Sequence, residues 1–520
     1  MAWSWSLSFL FSAEILFSAA CLLLFSSYIY RSRKNQLPVD WPVVGMLPGL
    51  LSRIHGVHEY GVEILTASNW TFMFKGPWFL GMDMLVTCDP ANVNHAFVAK
   101  CSNYPKGKEF TEIFDMFGNS LINTDGEEWK MQRRMTHSLM SNQNFRYYEL
   151  NTVRDKVEGA LLPLLRGVAE RGNAVDLQDV FLRLTFDVSC SLILGVDPGC
   201  LAEGFPVVPF AKALDDALEV IFFRHTVPMS VWKAMRWLGV GKERKMAVAQ
   251  KVMNHFAAST IAKRKEKING ERSHKDGGHE EGEAAGDMLT VYMHQPNGKN
   301  RLEFDRFIED NAIDLLLAGR DTTAAGLTWF FWLLTLHPEA EQKILEELKA
   351  NWPRTDLHAN APFDRDGLGK LVYLHAALCE SLRLYPPGAI QHKGVAEPDT
   401  LPSGEKVRPG TKLLFHLYSM ARMEGIWGKD CAEFKPERWI TETGELRHEP
   451  AHKFFAFNCG PRICLGKDMA FTIMKTVAVA MLRSFRFEVV KGHVVEPRLS
   501  IVLHMKNGLM MKVRKRERSW

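Results

Sequence analysis

Between Phe457 and Gly466 the chain reads Phe-Asn-Cys-Gly-Pro-Arg-Ile-Cys-Leu-Gly. A bulky apolar wall (Phe457), two residues without side chains (Gly460, Gly466), one fixed cation (Arg462) and one soft ligand (Cys464) share this short window. The set suits a metal–thiolate bond beside a flat macrocycle. Glycines admit close backbone approach, and the guanidinium can meet a carboxylate. Cys464 stands just before an apolar-periodic stretch, Met469 to Phe485, that reads as a helix. A helix N-terminus favours a thiolate. Cys459 is the rival ligand in the window.

Three further groupings carry chemistry. A long apolar stretch from Phe304 to Leu336, ended by His337-Pro338, predicts a helix about 50 Å long at ~1.5 Å per residue. At its centre stand Ala318-Gly319-Arg320-Asp321-Thr322-Thr323, and Asp314, Ala318 and Thr322 fall on one face at i, i+4 and i+8. A carboxylate and a hydroxyl inside a buried helix cost stability unless paired or hydrated; hydroxyl back-bonding alone would account for the threonine. Trp129 and Arg133 lie one turn apart on a helix that Asp125 is placed to cap. Glu380 and Arg383 form an i, i+3 pair on an amphipathic helix stopped by Tyr385-Pro386-Pro387.

The Phe457–Gly466 window resembles the haem-binding signature of the cytochrome P450 superfamily, Phe-x-x-Gly-x-Arg-x-Cys-x-Gly, at every fixed position. The resemblance implies a mainly α fold with a smaller β-rich region, haem b as cofactor, and Cys464 as the axial thiolate. It implies that Phe457, Gly460 and Gly466 shape the ligand loop, and that Trp129, Arg133 and Arg462 hold the haem propionates, with Lys393 as a further contact. Glu380, Arg383 and Arg438 would form a structural triad, Arg438 within Pro436-Glu437-Arg438-Trp439, where the family more often ends on Phe. Ala318 to Thr323 resembles the family's Ala/Gly-Gly-x-Asp/Glu-Thr-Thr/Ser element. Asp321 and Thr322 would then deliver protons during dioxygen activation, where a locally opened helix admits water. Electrons would come from NADPH through a flavoprotein reductase.

At finer grain, Trp70 to Trp78, Asn103 to Gly107, Leu327 to Leu334 and Glu449 to Phe454 resemble a plant group that hydroxylates long alkyl chains, the midchain alkane hydroxylases and fatty-acid omega-hydroxylases. A related branch, sharing the Val489 to Lys515 pattern, performs the oxidative phenol coupling that leads to noroxomaritidine-type alkaloids. Its central acid–threonine pair is altered, so the presence of Asp321 and Thr322 tilts the expectation towards C–H hydroxylation of an alkane, alcohol or fatty acid. Substrate contacts implied by the family are Phe114, Phe117, Asp314, Ala318, Ala389, Ile390 and Ile501. Asp314, able to meet a hydroxyl or an amine, keeps the phenol-coupling alternative in play. A third alternative, a haem sensor or electron carrier without turnover, has no use for Asp321 and Thr322.

The elements that must position these groups follow from the rest of the chain. Its 520 residues are 46% hydrophobic and 24% charged with net charge +4, a globular composition that gives no case for nucleic acid. Nine cysteines with no C-x-x-C pair exclude a zinc site or disulfide framework and favour a reducing compartment. Residues 7–30 are mostly apolar and end at Arg31-Ser32-Arg33-Lys34. That stretch is long enough to span a bilayer, and the cations behind it keep the bulk of the chain cytosolic, consistent with the endoplasmic reticulum membrane. The competing reading, a cleaved signal peptide, lacks a basic segment ahead of the apolar stretch.

The expected division is a membrane anchor over 1–30, a Pro/Gly-rich hinge over 31–50 and a catalytic domain over 51–520. Thr71 to Val86 predicts a hairpin-like pair of strands, broken at Gly76-Pro77. Lys263 to Asp287, rich in Lys, Glu, Gly and His, predicts a loop, and His274 and His279 within it are assigned no role.

Overall fold

The computed structural model describes residues 37–202, 204–273, 286–294, 301–351 and 365–516, together with 15, 18–23 and 25–26. Most of the expected anchor, the start of the hinge, His274, His279 and residues 517–520 lie outside the described residues. Among the described residues no helix is long and apolar enough to cross a membrane.

The helices used below are, in chain order, α1 (Gly107–Ile113), α2 (Gly126–Ser141), α3 (Leu177–Leu194), α4 (Pro209–Thr226), α5 (Gly241–Ser273), α6 (Arg301–Leu336), α7 (Val372–Leu384) and α8 (Lys467–Ser484). The long helix α6 is the axis of the core. It buries Ile313, Leu316, Leu317, Leu327, Phe330, Phe331, Leu333 and Leu334 and packs against α3, α5, α7 and α8. Gly319 lets α3 come close, because a Cβ there would meet Ser189 Oγ at 2.5 Å. Thr185 of α3 donates to the Arg320 carbonyl at 2.9 Å, so the centre of α6 is fixed from that side.

The strands are β1 (Thr71–Phe74), β2 (Met84–Thr87), β3 (Ala174–Asp176), β4 (Ile390–Lys393), β5 (Asp399–Thr400), β6 (Lys406–Val407), β7 (Lys412–His416), β8 (Phe485–Val489) and β9 (Met510–Lys515). The expected pairing holds, with β1 and β2 antiparallel and Phe72 opposite Val86. That pair is one edge of a four-stranded sheet ordered β1-β2-β7-β4, in which β7 runs parallel to β2 and antiparallel to β4. The parallel neighbour comes from over three hundred residues away, out of reach of local alternation. A second sheet, β3-β9-β8, ties the C-terminal strand back to the chain before α3.

The loop expected from Lys263 to Asp287 is corrected over its first part. Helix α5 continues to Ser273, because Lys263-Arg264-Lys265-Glu266-Lys267 are good helix formers. Asp287 instead serves the next helix: it accepts from Thr290 N at 2.9 Å and Arg264 Nη2 at 2.8 Å.

Candidate functional site

The Cys464 loop is built on left-handed backbone and one close approach. Asn458 and Gly460 have φ of 64° and 63°, and a Cβ on Gly460 would collide with the Phe97 carbonyl oxygen. The amide of Cys464 donates to the Phe457 carbonyl at 2.8 Å. Helix α8 begins at Lys467, and the Gly466 N–H at its mouth bonds the Cys464 sulfur. Gly466 itself has φ −84° and room for a side chain, the nearest atom to a Cβ lying at 3.8 Å. The close approach of protein backbone is therefore at Gly460.

Desolvation raises the Cys464 thiol pKa, while the Gly466 N–H, Arg133 and Lys467 pull it down. Cys464 is nevertheless exposed by surface area. A side chain that is accessible yet desolvated faces an internal space rather than bulk water. Its rival Cys459 is 2% exposed, packs in the smaller core with Phe97 and Phe455, and is pushed up to about 12 by burial.

Around this loop gather the cations. Arg462 donates to the Thr124 carbonyl at 2.7 Å and to Asp125 Oδ1 at 2.6 Å, with its guanidinium 4.4 Å from the Trp129 ring centroid. Arg133 donates to the Ile463 carbonyl at 2.7 Å and lies 5.7 Å from the same ring. Trp129 and Arg133 thus share a face of α2, as their spacing requires. Lys393 Nζ donates to the Tyr104 carbonyl at 2.8 Å. Asp125 does not cap α2 with its side chain. Its carboxylate instead accepts from Arg462 and from the amides of Lys106 and Gly107, both at 3.2 Å. A charged partner outcompeted the helix end.

Burial lowers the pKa of Arg133 and Arg462. It lowers Lys393 to about 8, Arg462 adding to the effect, and drives Lys106 well below its ordinary value, helped by Arg462 and Lys393. Asp125 and Asp314 pull the other way on Lys106, without offsetting its burial and the neighbouring cations.

At the centre of α6 the acid and the threonine point apart, as adjacent helix positions must. Thr322, half-buried, donates to the Ala318 carbonyl at 2.7 Å, and α6 is unbroken there, so the expected local opening is absent. Ala318 is exposed and Thr322 half-buried although Leu316, Leu317 and Asp321 beside them are buried, which places the Ala318–Thr322 stripe against an internal space. Asp321 is fully buried and receives Arg320 Nη1 at 3.0 and 3.2 Å. Arg320 also reaches Asp215 at 2.9 Å, whose side chain is 31% exposed, and His504 Nε2 stands 3.5 Å from Asp321. Burial raises the Asp321 pKa against the pull of Arg320 and His504. Arg320, Asp215 and His504 were not foreseen; nothing in the spacing links 215 or 504 to 321.

Glu380 and Arg383 form a buried two-point ion pair at 2.7 and 2.8 Å. Arg438 joins Glu380 at 3.3 Å, completing the expected triad. The Trp439 indole N–H adds a further bond to Glu380 at 2.8 Å.

The expected substrate contacts divide. Phe110 stacks on Phe114 at 4.1 Å, and Phe114 lies 6.2 Å from Phe117; Phe117 and Ala389 are fully covered, whereas Ile390 and Ile501 are half-buried. Leu503 N donates to the Pro387 carbonyl at 2.8 Å, which brings the Ile501 segment beside the start of β4. Asp314 is not free to meet a ligand with both oxygens, since Oδ2 accepts from Ile122 N at 2.9 Å. With Asp310 on Asn119 N and Asn311 on Leu121 N, it latches the 118–124 loop to α6. His225 and His392, unforeseen, flank Phe114 and Phe110 at 5.6 and 5.7 Å, and burial keeps both neutral.

A sulfur facing inward at a helix N-terminus, beside mutually repelling cations that need carboxylates, fits haem: Cys464 for the iron, the cation group for the propionates. Residues 37–513 match the cytochrome P450 family. The chain is 45% identical over 511 residues to noroxomaritidine synthase of Narcissus aff. pseudonarcissus MK-2014, covering 97% of this chain and 96% of that protein. It is 42% identical over 513 residues to alkane hydroxylase MAH1 of Arabidopsis thaliana, covering 97% and 99%. To cytochrome P450 86B1 of Arabidopsis thaliana it is 40% identical over 506 residues, covering 95% and 88%. The chain belongs to the cytochrome P450 family of monooxygenases, which use haem, dioxygen, a hydrophobic substrate and NADPH-derived electrons supplied through a reductase.

Proposed function

We propose that this monooxygenase hydroxylates a C–H bond of a long-chain aliphatic substrate, an alkane, alcohol or fatty acid. The observation that carries the reading is the apolar cluster of Phe110, Phe114 and Ile390, together with the engagement of Asp314 Oδ2 by Ile122 N, which ties that carboxylate to the backbone. Haem bound through a thiolate supplies O–O cleavage and oxidation of the substrate. Cys464 is its ligand, its thiol pKa pushed up by burial with the Gly466 N–H pulling the other way. Trp129, Arg133, Arg462 and Lys393 hold the propionates, and Phe457, Gly460 and Gly466 shape the loop.

Thr322 is the proton carrier at the substrate side, its hydroxyl oriented by the Ala318 carbonyl. Asp321 feeds protons from the far side of α6, where Arg320 connects it to the partly exposed Asp215. Glu380, Arg383 and Arg438 brace the segment leading to the loop. Residues 1–30 anchor the chain in the endoplasmic reticulum membrane, 31–50 form the hinge and 51–520 the cytosolic catalytic domain.

A second reading, oxidative phenol coupling of a phenolic amine, is favoured by the 45% identity to noroxomaritidine synthase. Incubating reductase-supplied microsomes with alkanes, fatty acids and phenolic amines, with products identified by mass spectrometry, separates the two. Hydroxylated aliphatic products support the first reading, and coupled phenols without inserted oxygen replace it with the second.

A further inference from the structure

Two imidazoles stand among the phenylalanines of the proposed substrate lining, and neither has a task in the haem site. His392 lies on β4, where alternate residues share a face, so it is on the side of Ile390 and opposite the side of Lys393. Its ring is 5.7 Å from Phe110. The His225 ring, near the end of α4, is 5.6 Å from Phe114 and 5.9 Å from His392. With Phe110 stacked on Phe114, the four rings form one wall in which the histidines are the polar members. His392 is 7% exposed, and its Nδ1 is buried without a hydrogen-bond partner among the described residues. Such a group costs stability until something pairs with it. His225 is half-buried by surface area yet desolvated, so its accessible part faces an enclosed space. Its Nδ1 lies 2.9 Å from the Ile221 carbonyl. A carbonyl accepts, so Nδ1 carries the proton, and in the neutral ring Nε2 is left as a bare acceptor. Among the described residues nothing bonds that Nε2.

We propose that His225 and His392 bind a hydroxyl group of the substrate, the hydroxyl donating to Nε2 of His225 and accepting from a ring N–H of His392. The inference rests on the reading of this lining as the substrate pocket, and it narrows the substrate to a hydroxyl-bearing one. A hydroxyl both donates and accepts, which the two rings together require. A carboxylate has no proton for the bare nitrogen of His225. An ammonium would join the positive charge of Lys412 and Lys393 that already acts on His392. The hydroxyl has two sources with the same chemistry, a long-chain alcohol and a phenol.

The test uses the full-length, haem-loaded protein and the variants His225→Phe, His392→Phe and His225→Gln. Dissociation constants are taken from the substrate-induced spectral shift for decan-1-ol against undecane and for 4-pentylphenol against 4-pentyltoluene, each hydrocarbon carrying a methyl group in place of the hydroxyl. Decanoic acid is measured alongside. Both phenylalanine variants should weaken a hydroxyl compound roughly threefold to tenfold, the size of a lost neutral hydrogen bond, and leave its hydrocarbon partner unchanged. His225→Gln returns an acceptor at about the reach of Nε2 and should hold the wild-type values. Loss confined to decan-1-ol identifies a long-chain alcohol. Loss confined to 4-pentylphenol keeps the histidine site and replaces the aliphatic reading with phenol coupling. Hydroxyl compound and hydrocarbon weakened alike, no change in either hydroxyl compound, decanoic acid weakened more than decan-1-ol, or a wild type that binds neither hydroxyl compound overturns the proposal. A wild-type protein without the ferrous carbon monoxide spectrum of thiolate-ligated haem would fail the haem reading instead.

Discussion

The indole N–H of Trp439 donates to Oε2 of Glu380 at 2.8 Å, with both side chains buried. Glu380 already takes Arg383 on both oxygens, Arg438 at 3.3 Å and the Lys435 amide at 3.1 Å, so the tryptophan joins a fully used carboxylate. Its ring also meets Phe454 edge-on at 4.6 Å, and Phe454 lies 6.4 Å from Phe457, whose carbonyl receives the Cys464 amide. The ion-pair hub is thus connected by aromatic packing to the ligand loop.

Replacing Trp439 by Phe keeps the ring packing and removes the N–H. The expected loss is about 1 kcal/mol, because Arg383 still satisfies Oε2. Arg383→Ala leaves Glu380 short of its main partner and costs roughly 3 to 5 kcal/mol. Urea unfolding followed by circular dichroism and haem absorbance measures both; equal losses would contradict this division of roles.

Gly460 and Gly466 are expected to respond differently to alanine. Gly460→Ala faces both a positive φ and the Phe97 carbonyl, so the loop cannot close and the protein is recovered with little haem. Gly466→Ala meets only ordinary contacts and retains haem near the wild-type level. The ratio of haem absorbance to protein in the purified variants reads the difference.

Burial raises the Asp314 carboxyl to about 6, partly opposed by the Ile122 N–H. An acid whose folded pKa lies above its unfolded value favours the protonated folded state, so the native state loses stability as pH rises from about 4 to about 6. At 1.36 kcal/mol per pKa unit the loss is on the order of 3 kcal/mol. Asp314→Asn retains an oxygen for the Ile122 amide and removes the titration. Its stability relative to wild type should climb across that window and stay level above it; a parallel pair of stability–pH curves would show that Asp314 does not titrate there.

Much of this was legible in local spacing. The span of α6, the β1–β2 pair, the i, i+4 face of Trp129 and Arg133 and the Glu380–Arg383 pair all depend on neighbours within a turn or a hairpin, where periodicity carries the information. What escaped depends on long-range contacts. His504 and Asp215 reach Asp321 from distant elements, β7 enters beside β2, and Asp125 gave its carboxylate to Arg462 instead of capping α2. In the 263–273 stretch a charged composition points to a loop, although Lys, Arg and Glu also propagate a helix.

The proton roles proposed for the centre of α6 make Thr322→Ala a coupling variant. Without the hydroxyl, NADPH consumption should continue while product per NADPH falls and hydrogen peroxide rises, and Thr322→Ser should restore coupling. Asp321→Asn, which disturbs the Arg320–Asp215 connection, should slow NADPH consumption itself. Unchanged peroxide release in Thr322→Ala would remove the threonine from the pathway.

Everything proposed for the haem site depends on Cys464 as the thiolate ligand, with Cys459 a buried core residue. The deciding measurement is the absorbance spectrum of the reduced, carbon monoxide-treated protein in Cys464→Ala and Cys459→Ala. The red-shifted Soret band of thiolate-ligated haem should vanish in Cys464→Ala and persist in Cys459→Ala. A band that survives loss of Cys464 and disappears with Cys459 would make Cys459 the ligand instead.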